Sequence, residues 1–173
     1  MVYNQITPKR WQLKNPTGKG TTTMKITQEA DYALRMMCLL AKEAAAGTSP
    51  VGAATLAEGV AVPTRFGLKI LHKLSVADLV KTSRGATGGY SLNQDPATIT
   101  VRRVIEAIDG PIEINRCLSE THTCLNNPNK DCCRLHHVFE ELNGMLTERL
   151  DRITVAIVID ESVGLGDLLA VIR

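Results

Sequence analysis

The stretch AATLAEGVAVPTRFGLKILHKLSVADLVKTSRGATGGYSL, residues 53–92, constrains this chain more than any other. Two short apolar-patterned segments are separated by only AVP, and two alternating runs follow around a glycine-rich tip. The first segment, AATLAEGV, is a short helix, and the second runs from Thr64 to about Val76 with Phe66, Ile70, Leu71 and Leu74 on one face. Two helices joined by so tight a turn, with the small Ala57 where they would cross, predict a helix-turn-helix. On this segment alone an ordinary packed helix pair is the alternative. LVKTSRGATGGYSL at 79–92 then reads as a hairpin with Arg84 at its shoulder, and a basic hairpin directly after a helix-turn-helix is the winged-helix arrangement. Gly85, Gly88 and Gly89 are expected to turn the backbone with positive φ and to let it approach a phosphate closely.

The flanks complete this unit. Thr27 is placed to cap a helix whose apolar positions Ala30, Ala33, Leu34, Met37, Leu40 and Ala41 follow a 3.6-residue period, with Cys38 read as core. Gly47, Ser49, Pro50 and Gly52 end that helix, and Val101, Val104, Ile105 and Ile108 mark another that stops at Gly110. The winged helix therefore spans 24–110. Residues 1–23 lack any period and read as a flexible basic extension, and Met24 would serve as a natural start. Past residue 134, Leu135, Val138, Leu142, Met145, Leu146, Arg149, Leu150, Ile153 and Ile157 recur at three- and four-residue steps. They predict one long helix over 135–159 with a single apolar stripe, most simply a dimerisation helix, with packing on the first helix of the same chain as the alternative. Residues 160–173 form a tail with a mildly apolar end. The fold class is mainly α with a small β-wing.

Charge divides along the same line. Residues 1–23 carry four basic side chains and no acid, 24–103 carry ten basic and six acidic, and 104–173 carry six basic and twelve acidic, which together give the net +2. A basic front suits a polyanion and an acidic back does not. No apolar run approaches the roughly 20 residues of a membrane span, and no secretory leader is visible, so a cytoplasmic location without membrane partners is expected. The serines have no positioned histidine and acid, and the glycines belong to a hairpin, so no enzyme constellation is present.

RCLSETHTCLNNPNKDCCRLHH, residues 116–137, holds four of the five cysteines and three of the four histidines. It has no apolar period and contains the turn NNPN, so 111–134 reads as a cysteine-rich loop. In a reducing compartment such a cluster points to metal ligation or redox thiols rather than disulfides. The spacing C-x6-C-x7-CC lacks the C-x2-C knuckles of a four-sulfur zinc site, which favours an iron-sulfur cluster over structural zinc. A thiol switch made of the vicinal Cys132 and Cys133 is a further reading.

MKITQEADYALR at 24–35, PTRFGLKILHKL, SRGATGGYSL, the cysteine loop and LHHVFEELNGMLTERLDRIT at 135–154 together resemble the Rrf2 family of bacterial winged-helix regulators, in its IscR and NsrR branches. The resemblance covers about 24–159, and the RGxxGGY wing is its most specific part. It implies a homodimer on a palindromic operator of double-stranded DNA. It also implies a cluster on Cys117, Cys124 and one of Cys132 or Cys133. For the fourth ligand, Cys133-x2-His136 matches the IscR step and implies 2Fe-2S, whereas Asp31 matches an NsrR aspartate from the other subunit and implies 4Fe-4S. An ion pair of Asp31 with Arg35 is the plainer reading of that aspartate. For DNA, Thr64, Arg65 and Lys69 lie on or near the outer side of the second helix, and Arg84 with Gly85 forms the wing tip. Arg65 is the first choice for reading a base. Leu68 stands where IscR has a base-reading glutamate and Gly67 where a leucine is usual, so the operator cannot be copied from IscR; Asp78 stands where a glycine often ends the helix, a backbone that Asp tolerates moderately well. The expected function is a DNA-binding repressor that senses redox state, nitric oxide or iron-sulfur status. A winged-helix regulator without a cluster, controlled by a protein partner, thiol oxidation or zinc, is the alternative.

Overall fold

The computed structural model describes residues 26–85, 87–125 and 130–172. The extension at 1–23, the Met24 start and the NNPN turn lie outside those residues. Helix α1 (Gln28–Ala45) begins where the sequence predicts: the Thr27 hydroxyl accepts from the Ala30 amide at 3.1 Å, Glu29 and Asp31 sit in the first turn and Lys42 in the last. Its inner face, Ala30, Ala33, Met36, Met37, Leu40 and Ala41, is the floor of the core. Helices α2 (Ala53–Gly59) and α3 (Thr64–Val76) lie on it. Ile70, Leu71 and Leu74 are completely buried, and each contributes roughly 1.5–3 kcal/mol relative to exposure.

The turn between α2 and α3 is closed by Ala61 and Val62 donating back to the Glu58 and Ala57 carbonyls, with Ala61 at φ 56°. Alanine in that left-handed region costs about 1–2 kcal/mol, which the tight crossing offsets. The crossing also explains Gly67. A Cβ there would stand 2.9 Å from Ala57 Cβ and 3.2 Å from Met36 Cε, so the leucine of the resembled pattern cannot fit without moving α2. After α3, Asp78 takes φ 59° and is held by Asn93 Nδ2 on its Oδ1 at 2.7 Å and by Gln94 Nε2 on its carbonyl at 3.1 Å. The end of α3 is thereby fastened to the base of the wing.

The wing is an antiparallel pair, β1 (Val80–Ser83) and β2 (Gly89–Leu92), in the register Val80↔Leu92 to Ser83↔Gly89. Val51, just ahead of α2, bonds Tyr90 in both directions, at 2.9 and 2.8 Å, and anchors β2 to the core. The three wing glycines differ from expectation. Only Gly85, at φ 112°, has positive φ. A Cβ on Gly88 would lie 2.4 Å from the Ser83 carbonyl oxygen and one on Gly89 would lie 2.5 Å from that of Val51. These two positions therefore serve backbone packing inside the wing rather than a positive-φ turn.

Helix α4 (Val101–Asp109) is capped by Thr100, whose hydroxyl accepts from Arg103 N, and ends at Gly110 with φ 84°. Helix α5 (Arg134–Arg152) follows the cysteine segment, which contains the 3-10 turns Arg116–Leu118 and Lys130–Cys132. The single helix expected over 135–159 is broken. Val101 N donates to the Ile153 carbonyl and Val155 N to that of Ile99, so residues 153–154 pair with the strand-like entry to α4. Thr154 then caps α6 (Val155–Ile159), and Val155 is buried in the core with α1. Part of the apolar period thus serves same-chain packing. The tail also contains a helix, α7 (Leu165–Ile172), which lies against α5. No helix among the described residues is long and apolar enough to cross a membrane.

Candidate DNA interface and cysteine segment

Helix α3 buries one side and leaves Thr64, Arg65, Leu68, Lys69, His72 and Val76 exposed on the other. Pro63, Arg65, Phe66 and Lys69 border an open groove of about 470 Å³ at its start, where Phe66 is set edge-on against Tyr32 at 6.1 Å. Arg84 and Gly85 of the wing are exposed as well. Thr64, Arg65 and Lys69 thus share one face of one helix. The sequence reading omitted His72, although its spacing from Leu68 and Val76 places it on the same stripe.

The cations of this face are not equivalent. Arg65 has no hydrogen bond or ion pair among the described residues, which leaves its guanidinium available to a ligand. Lys69 Nζ instead lies 3.5 Å from Glu29 Oε2, and Lys73 Nζ lies 2.9 Å from Glu29 Oε1 and donates to the Ile108 carbonyl at 3.1 Å. The Lys73 ammonium, with Lys69 behind it, holds the Glu29 carboxyl below its usual range against the opposing effect of burial. Asp109, next to Ile108, accepts from both the amide and the hydroxyl of Thr27. The starts of α1 and α3's outer face thus meet the end of α4 through polar contacts, and α4 leads straight into the cysteine segment.

That segment is fastened at its entry. Ile114 N donates to Asn143 Oδ1 at 3.0 Å and Asn143 Nδ2 donates to the Ile112 carbonyl at 2.9 Å, so α5 grips the chain just before the cysteines. Nothing in the periodicity marks Asn143 for this role. Cys117 sits in the first 3-10 turn, its amide held by Asn115 Oδ1. Cys132 is in the second, and Cys133 is the residue before α5. None of the five cysteines forms a disulfide; Cys117, Cys124 and Cys133 are half-buried and Cys132 is exposed. Cys38 packs against the core, where burial pushes its thiol up, as a core reading requires.

The two neighbouring histidines separate cleanly. His137 has one ring nitrogen 2.8 Å from the Asp131 carbonyl and the other 3.4 Å from Glu140, and these contacts raise its pKa, the carbonyl bond most. Among the described residues, the buried His136 Nδ1 has no hydrogen-bond partner. Asp31 is engaged otherwise, accepting from Arg35 Nε at 2.9 Å on the surface of α1. Thiolates and one orphaned imidazole nitrogen form a donor set suited to iron or to an iron-sulfur cluster. Among the described residues, however, no three of the His, Cys, Asp and Glu side chains converge closely enough to hold a metal ion.

Residues 26–161 match the model of the Rrf2 family, described as an iron-dependent transcriptional regulator. The chain belongs to the Rrf2 family. An rrf2-like HTH-type regulator of Rhodobacter capsulatus is 32% identical over 133 residues, covering 75% of this chain and 89% of that one. NsrR of Shouchella clausii is 29% identical with coverage of 76% and 86%, and IscR of Escherichia coli is 30% identical with coverage of 76% and 78%. Among solved structures, CymR, the global cysteine regulator of B. subtilis, matches with a TM-score of 0.62 at 26% identity over 78% of this chain and 95% of that one. IscR of T. potens matches with a TM-score of 0.60 at 25% identity, covering 83% and 91%. The chain is accordingly a DNA-binding transcriptional regulator with a winged-helix fold, not an enzyme.

Proposed function

We propose that this Rrf2 regulator binds a palindromic operator as a homodimer and that an iron-sulfur cluster on its cysteine segment sets its affinity for DNA. The ligands in this reading are Cys117, Cys124, one of Cys132 or Cys133, and a fourth group. The observation that carries it is the donor set itself: thiols outside any disulfide, ahead of a histidine whose buried Nδ1 has no partner among the described residues. That orphaned nitrogen favours His136 for the fourth position, because Asp31 already accepts from Arg35. The relatives named IscR and NsrR and the family description as iron-dependent support the same chemistry.

Homodimerisation is supported by α5, which exposes Leu135, Val138, Leu142 and Met145 in three- and four-residue steps along one side. On DNA, Arg65 reads a base, Thr64 and Lys69 flank it, and Arg84 with Gly85 carries the wing to the backbone. A bound cluster would link Cys117, Cys124, one of Cys132 or Cys133, and His136, and would supply a tie that a redox or ligand signal can undo. The chain's own part is to pass that change on. The segment is continuous with α4, whose end contacts Lys73 of α3, and it is gripped by Asn143 of α5. A coupling of roughly 1–3 kcal/mol gives a 5- to 150-fold change in operator affinity.

One observation favours a second reading, a regulator without a cluster that answers to thiol oxidation, zinc or a protein partner. The described cysteines do not converge, and a neighbour in fold is named as a regulator of cysteine. Anaerobic purification separates the two. The cluster reading expects a brown protein with near-stoichiometric iron and sulfide, and loss of that absorbance in His136→Ala but not in Asp31→Ala. A colourless protein that still binds DNA after reconstitution rejects it, and bound zinc supports the second reading.

A further inference from the structure

We propose that Glu29 is a specificity-determining residue, which acts by withholding Lys69 and Lys73 of α3 from the DNA phosphates. The inference rests on the reading that the outer face of α3 enters the groove. Glu29 lies in the first turn of α1, outside the helix-turn-helix and the wing, and its side chain is only 19% exposed. Both of its carboxylate oxygens are engaged by α3, Oε1 with Lys73 at 2.9 Å and Oε2 with Lys69 at 3.5 Å. Lys73 has a second anchor in the Ile108 carbonyl and is 32% exposed, whereas Lys69 is 60% exposed and borders the groove beside Arg65.

This arrangement sorts the positive charge of the face by function. Phosphate contacts give sequence-independent, salt-dependent affinity, while a guanidinium on a base edge gives discrimination. Lys69 and Lys73 with Glu29 present a local charge of +1 rather than +2, and the carboxylate competes with phosphate for Lys69. Arg65 faces no such competitor among the described residues. The face therefore offers its cation for base reading freely and its backbone-binding cation at a discount, which raises the ratio of specific to non-specific binding.

The test uses the full chain and two probes, a duplex selected from a random pool by the wild-type protein and an unselected duplex of mixed sequence, with affinity measured against salt. In Glu29→Gln the salt slope for the unselected duplex is expected to steepen by about 1, the equivalent of one freed lysine. Non-specific affinity rises several-fold, and the ratio between the probes falls. In a Lys69→Met background the same Glu29→Gln substitution is expected to steepen the slope clearly less than it does in the wild type, because the cation it releases is gone. A role of Glu29 in stability alone would weaken both probes with no steepening, and that result overturns the inference. Arg65→Ala on the selected duplex guards the premise. If it leaves affinity unchanged, the placement of α3 is wrong; if it weakens binding while Glu29→Gln leaves the slope unmoved, only the role of Glu29 is rejected.

Discussion

The two halves of this molecule are specified by different means. From α1 to α4 nearly every apolar side chain is spent on one core, the caps are local, and the polar residues between helices have named partners. From Arg116 onward, thiols stand outside disulfides, a histidine nitrogen is buried without a partner, and α5 leaves an apolar stripe in water. The core of the first half closes within one chain, with Val155 of α6 packed into it. The second has the features of a region completed by something else, which is where a regulator's response belongs.

Paired substitutions sharpen that contrast. Ile70→Ala removes a side chain with no exposure in the α3 core and is expected to cost about 2–5 kcal/mol in chemical denaturation. Leu142→Ala, on the α5 stripe at 48% exposure, is expected to shift monomer stability by no more than about 0.5 kcal/mol while weakening self-association in sedimentation. Equal losses of stability from the two would erase the distinction between a closed core and an open face.

A smaller effect comes from Arg65→Ala. Its fold should be unchanged, and its discrimination between the selected duplex and one altered at the contacted base should fall by about 1–3 kcal/mol in a binding titration. The same loss on every duplex regardless of sequence would make Arg65 a phosphate contact.

Much of the first half was legible in advance because its signals are local. The Thr27 cap, the α2–α3 turn and the hairpin each depend on a few adjacent residues. What the sequence could not reveal depends on distant chain. The Val51–Tyr90 pairing joins segments far apart, and no period announces it. The apolar period runs through Ile153 without a breaker, and the helix stops there only because Ile99 and Val101 offer backbone partners. Glu29 gains its two lysines only through the approach of α3, which no local pattern announces. In the cysteine segment the residue types were legible, but the hydrogen bonds that distinguish His137 from His136 depend on the fold around the start of α5.

The smallest effect lies at His137. Its folded pKa is raised by the Asp131 carbonyl and Glu140, so its contribution to stability is full below the unfolded value near 6.5 and is lost as pH rises through the folded value. His137→Gln should flatten this modest dependence in denaturation curves collected across that interval, and a stability that increases with pH there in the wild type would contradict the contacts at the start of α5.

The central claim is that the cysteine segment governs the DNA-reading half. Its most direct test is the affinity of one anaerobic preparation for the selected duplex, measured as isolated with iron and sulfide bound and again after the iron has been chelated. The two affinities should differ by about 5- to 150-fold, and Cys117→Ala should behave like the chelated protein in both conditions. Equal affinity before and after chelation, in a preparation that verifiably contained the cluster, would contradict it.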